Sequence, residues 1–133
     1  MESDSAPSAA EWGLSTIGQI AVAVSDVDRA LSFYRDGLGM KLLFQFPNLA
    51  FFDCGGVRLM LSDSEKPSGD SPFCIYYRVS DIEKASAVLR ARGVQLEREP
   101  HCIARMPDHE LWMAFFRDPD RNLLAMMSEV SPG

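Results

Sequence analysis

The chain carries two histidines, His101 and His109, and they flank the short segment Cys102–Asp108. An imidazole titrates near neutral pH, so either ring could serve as a general acid or base. Asp108 lies beside them in sequence, with Glu110 and Trp112 following. Two histidines and one carboxylate could also make an unconventional metal site. The plainer reading makes both histidines turn and surface residues. The thiols Cys54, Cys74 and Cys102 are the second group with latent chemistry. A thiol attacks only as a thiolate, which needs a base or a positive environment. No histidine can be placed beside Cys74 from the sequence, so a buried, inert thiol is the plainer expectation there. Three cysteines at wide spacing suit free thiols in a reducing cytoplasm better than a disulfide framework or a zinc knuckle.

The elements that position these groups must come from a chain of 133 residues, enough for one compact domain or two small halves sharing a core. Hydrophobic residues make up 47% and charged residues 24%, the balance of an ordinary soluble globular protein. Nineteen acidic against thirteen basic side chains leave a formal charge of −6. That surplus argues against sequence-independent binding to nucleic acid or anionic lipid, both of which need clustered Lys and Arg. No apolar run approaches the roughly 20 residues that span a bilayer. The opening MESDSAPSAAEWGLS lacks the basic start and apolar stretch of a secretory signal, so a cytoplasmic location is expected.

Residues 1–15 read as a tail, with Trp12 and Leu14 docking at its end, and residues 130–133 as a second tail. The polar, turn-rich stretch 63–72 divides the rest into two halves, 16–62 and 73–129. The first half opens with the apolar run Ile17–Val24, stopped by Ser25-Asp26, where Asp26 is a good helix N-cap. Val27, Ala30, Leu31, Tyr34 and Leu38 then recur at helical spacing, and Gly37 and Gly39 end the helix. Three strands follow, Met40–Phe46, Leu49–Asp53 and Val57–Leu61, with turns at Pro47-Asn48 and Gly55-Gly56. The second half repeats this order. A strand over Phe73–Val79 meets Ser80-Asp81, and Ile82, Ala85, Val88 and Leu89 give a helical stripe closed by Gly93. The last strands are Val94–Ala104, interrupted near Pro100, then Glu110–Arg117 and Asn122–Ser128.

Val24-Ser-Asp-Val27 matches Val79-Ser-Asp-Ile82, and Phe51-Phe-Asp matches Phe115-Phe-Arg. The unit is strand, helix, strand, strand, strand, used twice, and each copy must bury a face against the other. With IAVAVSDVDRALSFYRDGLGM, starting at Ile20, and FFRDPDRNLLAMM, starting at Phe115, the sequence resembles the vicinal oxygen chelate superfamily over about residues 16–129. That superfamily includes glyoxalases, bleomycin-resistance proteins and extradiol dioxygenases. The resemblance implies an α+β fold of two tandem βαβββ modules, forming a curled mixed sheet around a shared cavity. Homodimers are common among such proteins.

The resemblance also implies four inward-facing positions where family enzymes hold one divalent metal through His, Glu or Gln. Carried onto this chain, they are Gln19, Met60, Cys74 and Ala125. A hard or borderline ion wants three or four good N or O ligands in fixed geometry. This set offers one amide oxygen, a thiol, a thioether and a methyl group, so no metal and no other cofactor is expected there. Alternation from those corners turns Gln19, Ala21, Ala23, Arg58, Met60, Cys74, Tyr76, Arg78, Leu123, Ala125 and Met127 inward. Gln19 and Tyr76 could orient a ligand by hydrogen bonds, while Met60, Cys74, Ala125 and Trp112 add contact surface. Arg58 or Arg78 could meet a carboxylate or phosphate. The plainer expectation places these arginines in solvent or paired with acids such as Asp53. Arg121 stands where the resembling turn has glycine, which would strain it if φ is positive.

Three readings of function follow. The first is a metal-independent binder of a small organic molecule in the cavity between the modules. The second is a lyase or dioxygenase-type enzyme with an atypical site, drawing on His101, His109 or Cys74. The third is a non-catalytic dimer whose cavity is filled by side chains.

Overall fold

A computed structural model describes residues 13–64 and 73–131. The sequence pattern has its first consequence at the Ser-Asp pairs. Asp26 and Asp81 both sit in extended backbone, and each carboxylate accepts the amide N–H three residues on, Arg29 at 3.2 Å and Lys84 at 3.1 Å. Each cap satisfies an otherwise orphaned donor and contributes about 1 kcal/mol to its helix. The helices that start there are α1 (Val27–Ser32) and α2 (Ile82–Ala91).

Helix α1 is shorter than its apolar stripe predicts. It widens at Phe33–Gly37 into a π-helical turn, where Leu38 N–H reaches back five residues to the Phe33 carbonyl at 3.0 Å. The apolar spacing survives, because Val27, Ala30, Leu31 and Tyr34 are all buried and Leu38 packs on the core. A wide turn of this kind is rare and is not encoded by propensity.

The strands are β1 (Gln19–Ala23), β2 (Lys41–Phe46), β3 (Leu49–Cys54) and β4 (Val57–Ser62) in module one. Module two has β5 (Ile75–Arg78), β6 (Leu96–Arg105), β7 (Glu110–Arg117) and β8 (Leu123–Val130). Each module forms one four-stranded mixed sheet, in the orders β1-β4-β3-β2 and β5-β8-β7-β6. In both, the opening strand pairs parallel with the closing one, so each sheet carries a helical crossover on one side. The β3–β4 connection is a two-residue turn, Gly55-Gly56, with φ of 62° and 94°, a conformation that favours glycine at both places. Around Pro100, β6 keeps pairing with β7 through three register irregularities instead of breaking. Strand β8 continues through Val130, which pairs with Glu110, so the final strand runs beyond the expected tail boundary. At the other end Leu14 is 94% exposed and does not dock. Trp12 and most of the 63–72 linker lie outside the described residues.

One core joins the modules. Phe52, Leu59 and Leu61 of sheet one share a cluster with Phe116, Leu124 and Met126 of sheet two and with both helices. A polar clasp sits beside it. Asp118 is buried and accepts from the Tyr34 hydroxyl at 2.8 Å, from Asn122 Nδ2 at 2.8 Å and from two backbone amides of its own turn. Asn122 Nδ2 also donates to the Ala23 carbonyl at 3.1 Å. Asp120 accepts from Ser25 and from Arg29 at 3.2 Å. The Asp118–Asn122 turn of module two is thereby fastened to β1 and α1 of module one.

Candidate functional site

Burial alternates along β1, β3, β4 and β5, and this sets the inner faces. In β1, Ile20 and Val22 pack on the core, while Gln19 and Ala21 are exposed on the other side. In β4, Leu59 and Leu61 are buried, leaving Arg58, Met60 and Ser62 on the opposite face. In β3, Ala50 and Phe52 point to the core, which turns Leu49, Phe51 and Asp53 inward. In module two, Ile75 and Tyr77 pack on the core, so Cys74, Tyr76 and Arg78 lie on the inner side with Ala125, Met127, Met113 and Phe115.

The wall of module one holds a fixed arginine. Arg58 Nε donates to Gln19 Oε1 at 3.1 Å, and the guanidinium lies over the Phe51 ring, 5.6 Å from its centroid. Phe44 and Phe46 meet Phe51 edge-on, with centroids 6.3 and 6.2 Å away. The Gln19 amide approaches Met60 Sδ at 3.9 Å, so two of the four corner residues are neighbours. Asp53 lies across from Arg58 in the β3–β4 ladder but accepts from Gly56 N–H instead, at 3.2 Å. Arg58 stays exposed, as the plainer expectation has it, but it pairs with Gln19 and an aromatic ring rather than with Asp53. Beside them opens a cavity of about 530 Å³, bounded by Ala21, Ala23, Leu49, Met60 and Ser62.

The wall of module two is aromatic and closed at its centre. Tyr76, Ala125 and Phe115 are cross-strand neighbours. The two rings meet in a T-shape 6.2 Å apart, and Ala125 between them is fully buried. His101 lies 6.4 Å from Phe115. Its Nδ1 is 2.7 Å from the Glu99 carbonyl and its Nε2 is 3.4 Å from Arg98 Nη2. Arg78 pairs with Glu129 at 3.5 Å.

Trp112 faces the other way, in phase with Ala114 and Phe116. It packs against the core and donates its indole N–H to Glu110 Oε1 at 3.0 Å. His109 sits past the hairpin tip, bonded to Asp108 at 2.7 Å, which holds the Asp108 carboxyl below its usual range. His101 pairs with Met113, three residues further along β7 than Glu110, so the two histidines stand at different levels of the ladder. Among the described residues no three His, Cys, Asp or Glu side chains converge as a metal group.

The corner chemistry is equally spare. The Gln19 oxygen is taken by Arg58, Met60 offers a thioether, and Ala125 offers no donor and is covered. Burial pushes the Cys74 thiol up, away from the thiolate that a metal or an electrophile would need. These residues do not fit a resident divalent ion. Arg98, Phe44 and Phe46 were not singled out from sequence. The irregular β6 ladder hides the first, and β2 reads too uniformly apolar to sort the other two.

Two βαβββ modules, each a four-stranded mixed sheet with its helix on one side, define the fold class of the chain. Residues 16–126 match the family described as the Glyoxalase/Bleomycin resistance protein/Dioxygenase superfamily, and the chain belongs to it. It is 30% identical over 124 residues to the uncharacterized protein YraH of Bacillus subtilis (strain 168), covering 80% of this chain and 92% of that one. Among solved structures it is similar to TnmS3, an antibiotic binding protein from Streptomyces sp. CB03234, at 26% identity and a TM-score of 0.72, covering 90% and 99% of the two chains. It shares its fold with a lactoylglutathione lyase from Agrobacterium tumefaciens, at 23% identity and a TM-score of 0.68, covering 86% and 94%. No helix among the described residues is long and apolar enough to cross a membrane.

Proposed function

We propose that the protein is a metal-independent binder of a small organic molecule, held against the inner walls and closed in by a second copy of the chain. The observation that carries this reading is the donor set. Three of the four corners lack a hard ligand atom, and the fourth is already engaged by Arg58. What the walls offer instead is ring surface, with Phe44, Phe46 and Tyr76 each about half exposed at 53%, 51% and 47%. Aromatic side chains of that size bind through area and ring geometry rather than through coordination. Exposed apolar surface of this extent on one chain also favours burial in a homodimer. The likeness to an antibiotic binding protein supports ligand capture over turnover. The free thiols of Cys54, Cys74 and Cys102 suit a cytoplasmic setting.

A neutral fused-ring probe, 2-naphthamide, tests this by calorimetry and by NMR shift mapping. It is expected to bind equally before and after chelator treatment, to perturb Phe51 and Phe115, and to lose at least tenfold in affinity in Tyr76→Ala. Stoichiometric metal in protein purified without chelator, with binding lost on its removal, would overturn the reading.

A further inference from the structure

Arg58 is an exposed cation with a carboxylate directly across the ladder, and it does not use it. Its Nε is spent on Gln19 Oε1, its plane rests over Phe51, and Phe51 is braced by Phe44 and Phe46. The two terminal Nη groups have no partner among the described residues. A guanidinium normally loses side-chain freedom when it grips an anion, and here that freedom is already restricted by a hydrogen bond and a ring. Asp53, the ladder partner of Arg58, is turned to the Gly56 amide. The geometry leaves a two-pronged donor at the edge of an aromatic platform, facing the same side of the sheet as the Met60 cavity.

We infer that the ligand is an aromatic acid, with its ring on the Phe44–Phe46–Phe51 platform and its carboxylate on the Arg58 Nη pair. The inference rests on the inner walls being the binding site. Planar carboxylates match the guanidinium fork in a way that amides and ammonium groups do not. Gln19 acts as a positioning residue, keeping Arg58 on Phe51 and away from Asp53.

The test compares 2-naphthoate with its neutral analogue 2-naphthamide by calorimetry, on the full chain. The acid is expected to bind about tenfold to a hundredfold more tightly, the range for a charge-assisted pair. Arg58→Gln should bring the two ligands level by weakening naphthoate alone, and Arg58→Lys should recover part of the preference. Gln19→Ala should weaken naphthoate by freeing Arg58 to swing to Asp53. Adding Asp53→Asn to that variant should then restore binding, which a merely structural role of Gln19 does not predict. Equal affinity for the two ligands, or an Arg58→Gln variant that weakens both alike, overturns the acid preference and leaves the binding site standing. If neither ligand binds, both readings fall.

Discussion

The two inner walls are built on the same backbone and filled in opposite ways. Across sheet one, Phe51, Met60 and Ala21 form a row of cross-strand neighbours. The matching row across sheet two is Phe115, Ala125 and Tyr76. Both rows carry a phenylalanine on one flank, but module one puts Met60 in the middle and Ala21 on the other flank, whereas module two puts Ala125 in the middle and Tyr76 on the other flank. The result is a cavity beside Ala21 in the first and a ring pair closed over Ala125 in the second. One row further on, Asp53 and Arg58 of module one correspond to Arg117 and Leu123 of module two, so the charges also differ. The outer faces diverge much less. Ala50, Phe52, Leu59 and Leu61 correspond to Ala114, Phe116, Leu124 and Met126, and all eight are buried. Period-two alternation lets one face of each strand keep the fold while the other is free to specialise.

That division is broken most directly by trading the paired phenylalanines. Phe52→Ala and Phe116→Ala each empty a buried site and should cost about 3–5 kcal/mol. Phe51→Ala and Phe115→Ala, one residue earlier on each strand, should cost under about 1 kcal/mol in stability while weakening naphthamide binding. Urea denaturation of the four variants reads this out. A Phe115→Ala cost as large as that of Phe116→Ala would mean that the inner wall is part of the core.

A smaller asymmetry lies in the two core tyrosines. Tyr34 of module one donates to Asp118, whereas the Tyr77 hydroxyl of module two is buried with no hydrogen-bond partner among the described residues. Tyr34→Phe should cost roughly 1.5–3 kcal/mol, the range for a bond to a charged acceptor, and Tyr77→Phe should be neutral or slightly stabilising. Burial pushes both phenols far above their ordinary range, and for Tyr34 the Asp118 carboxylate adds to it. Folding therefore favours the neutral rings. Their contribution is intact below the unfolded phenol pKa of about 10 and is lost as pH rises beyond it. Each ring should steepen the alkaline fall in stability by about 1.4 kcal/mol per pH unit, and each phenylalanine substitution should remove its share. Denaturant midpoints measured between pH 9 and 11 would show this.

Much of the architecture was legible because it rests on local rules. Asp26 and Asp81 announce helices by capping chemistry, and the Phe51-Phe-Asp and Phe115-Phe-Arg pairs mark inner and outer faces by alternation alone. The site was less legible because side-chain partners are tertiary. Nothing local tells Arg58 to prefer Gln19 over Asp53, its neighbour on the next strand. Trp112 was grouped with the site by sequence proximity to His109, but the parity of β7 puts it with Ala114 and Phe116. The π turn at Phe33–Gly37 escaped for a related reason, since an apolar spacing of three and four residues fits an α-helix and a locally widened one equally well.

The smallest expected effect compares the turns that enter the two closing strands. In module one the turn is Gly55-Gly56, and a Cβ built on Gly56 meets nothing within 4 Å. In module two the matching turn holds Arg121 at φ 69°, the one non-glycine with positive φ among the described residues. Its contribution to the clasp is through the backbone, because Arg121 N–H bonds the Asp118 carbonyl at 2.9 Å and its own carbonyl accepts from Arg117 at 3.0 Å. A glycine there keeps both bonds and removes the Cβ strain, so Arg121→Gly should gain up to about 1 kcal/mol, less the extra entropy of the unfolded chain. The reciprocal Gly56→Arg has open space, but its φ of 94° lies further outside the left-handed region than 69°, so it should lose at least as much from strain alone. Opposite shifts of similar size in the denaturant midpoint would make the two turns equivalent in energy despite their different sequences. A loss in Arg121→Gly would instead assign the arginine side chain a stabilising contact that outweighs its strained backbone.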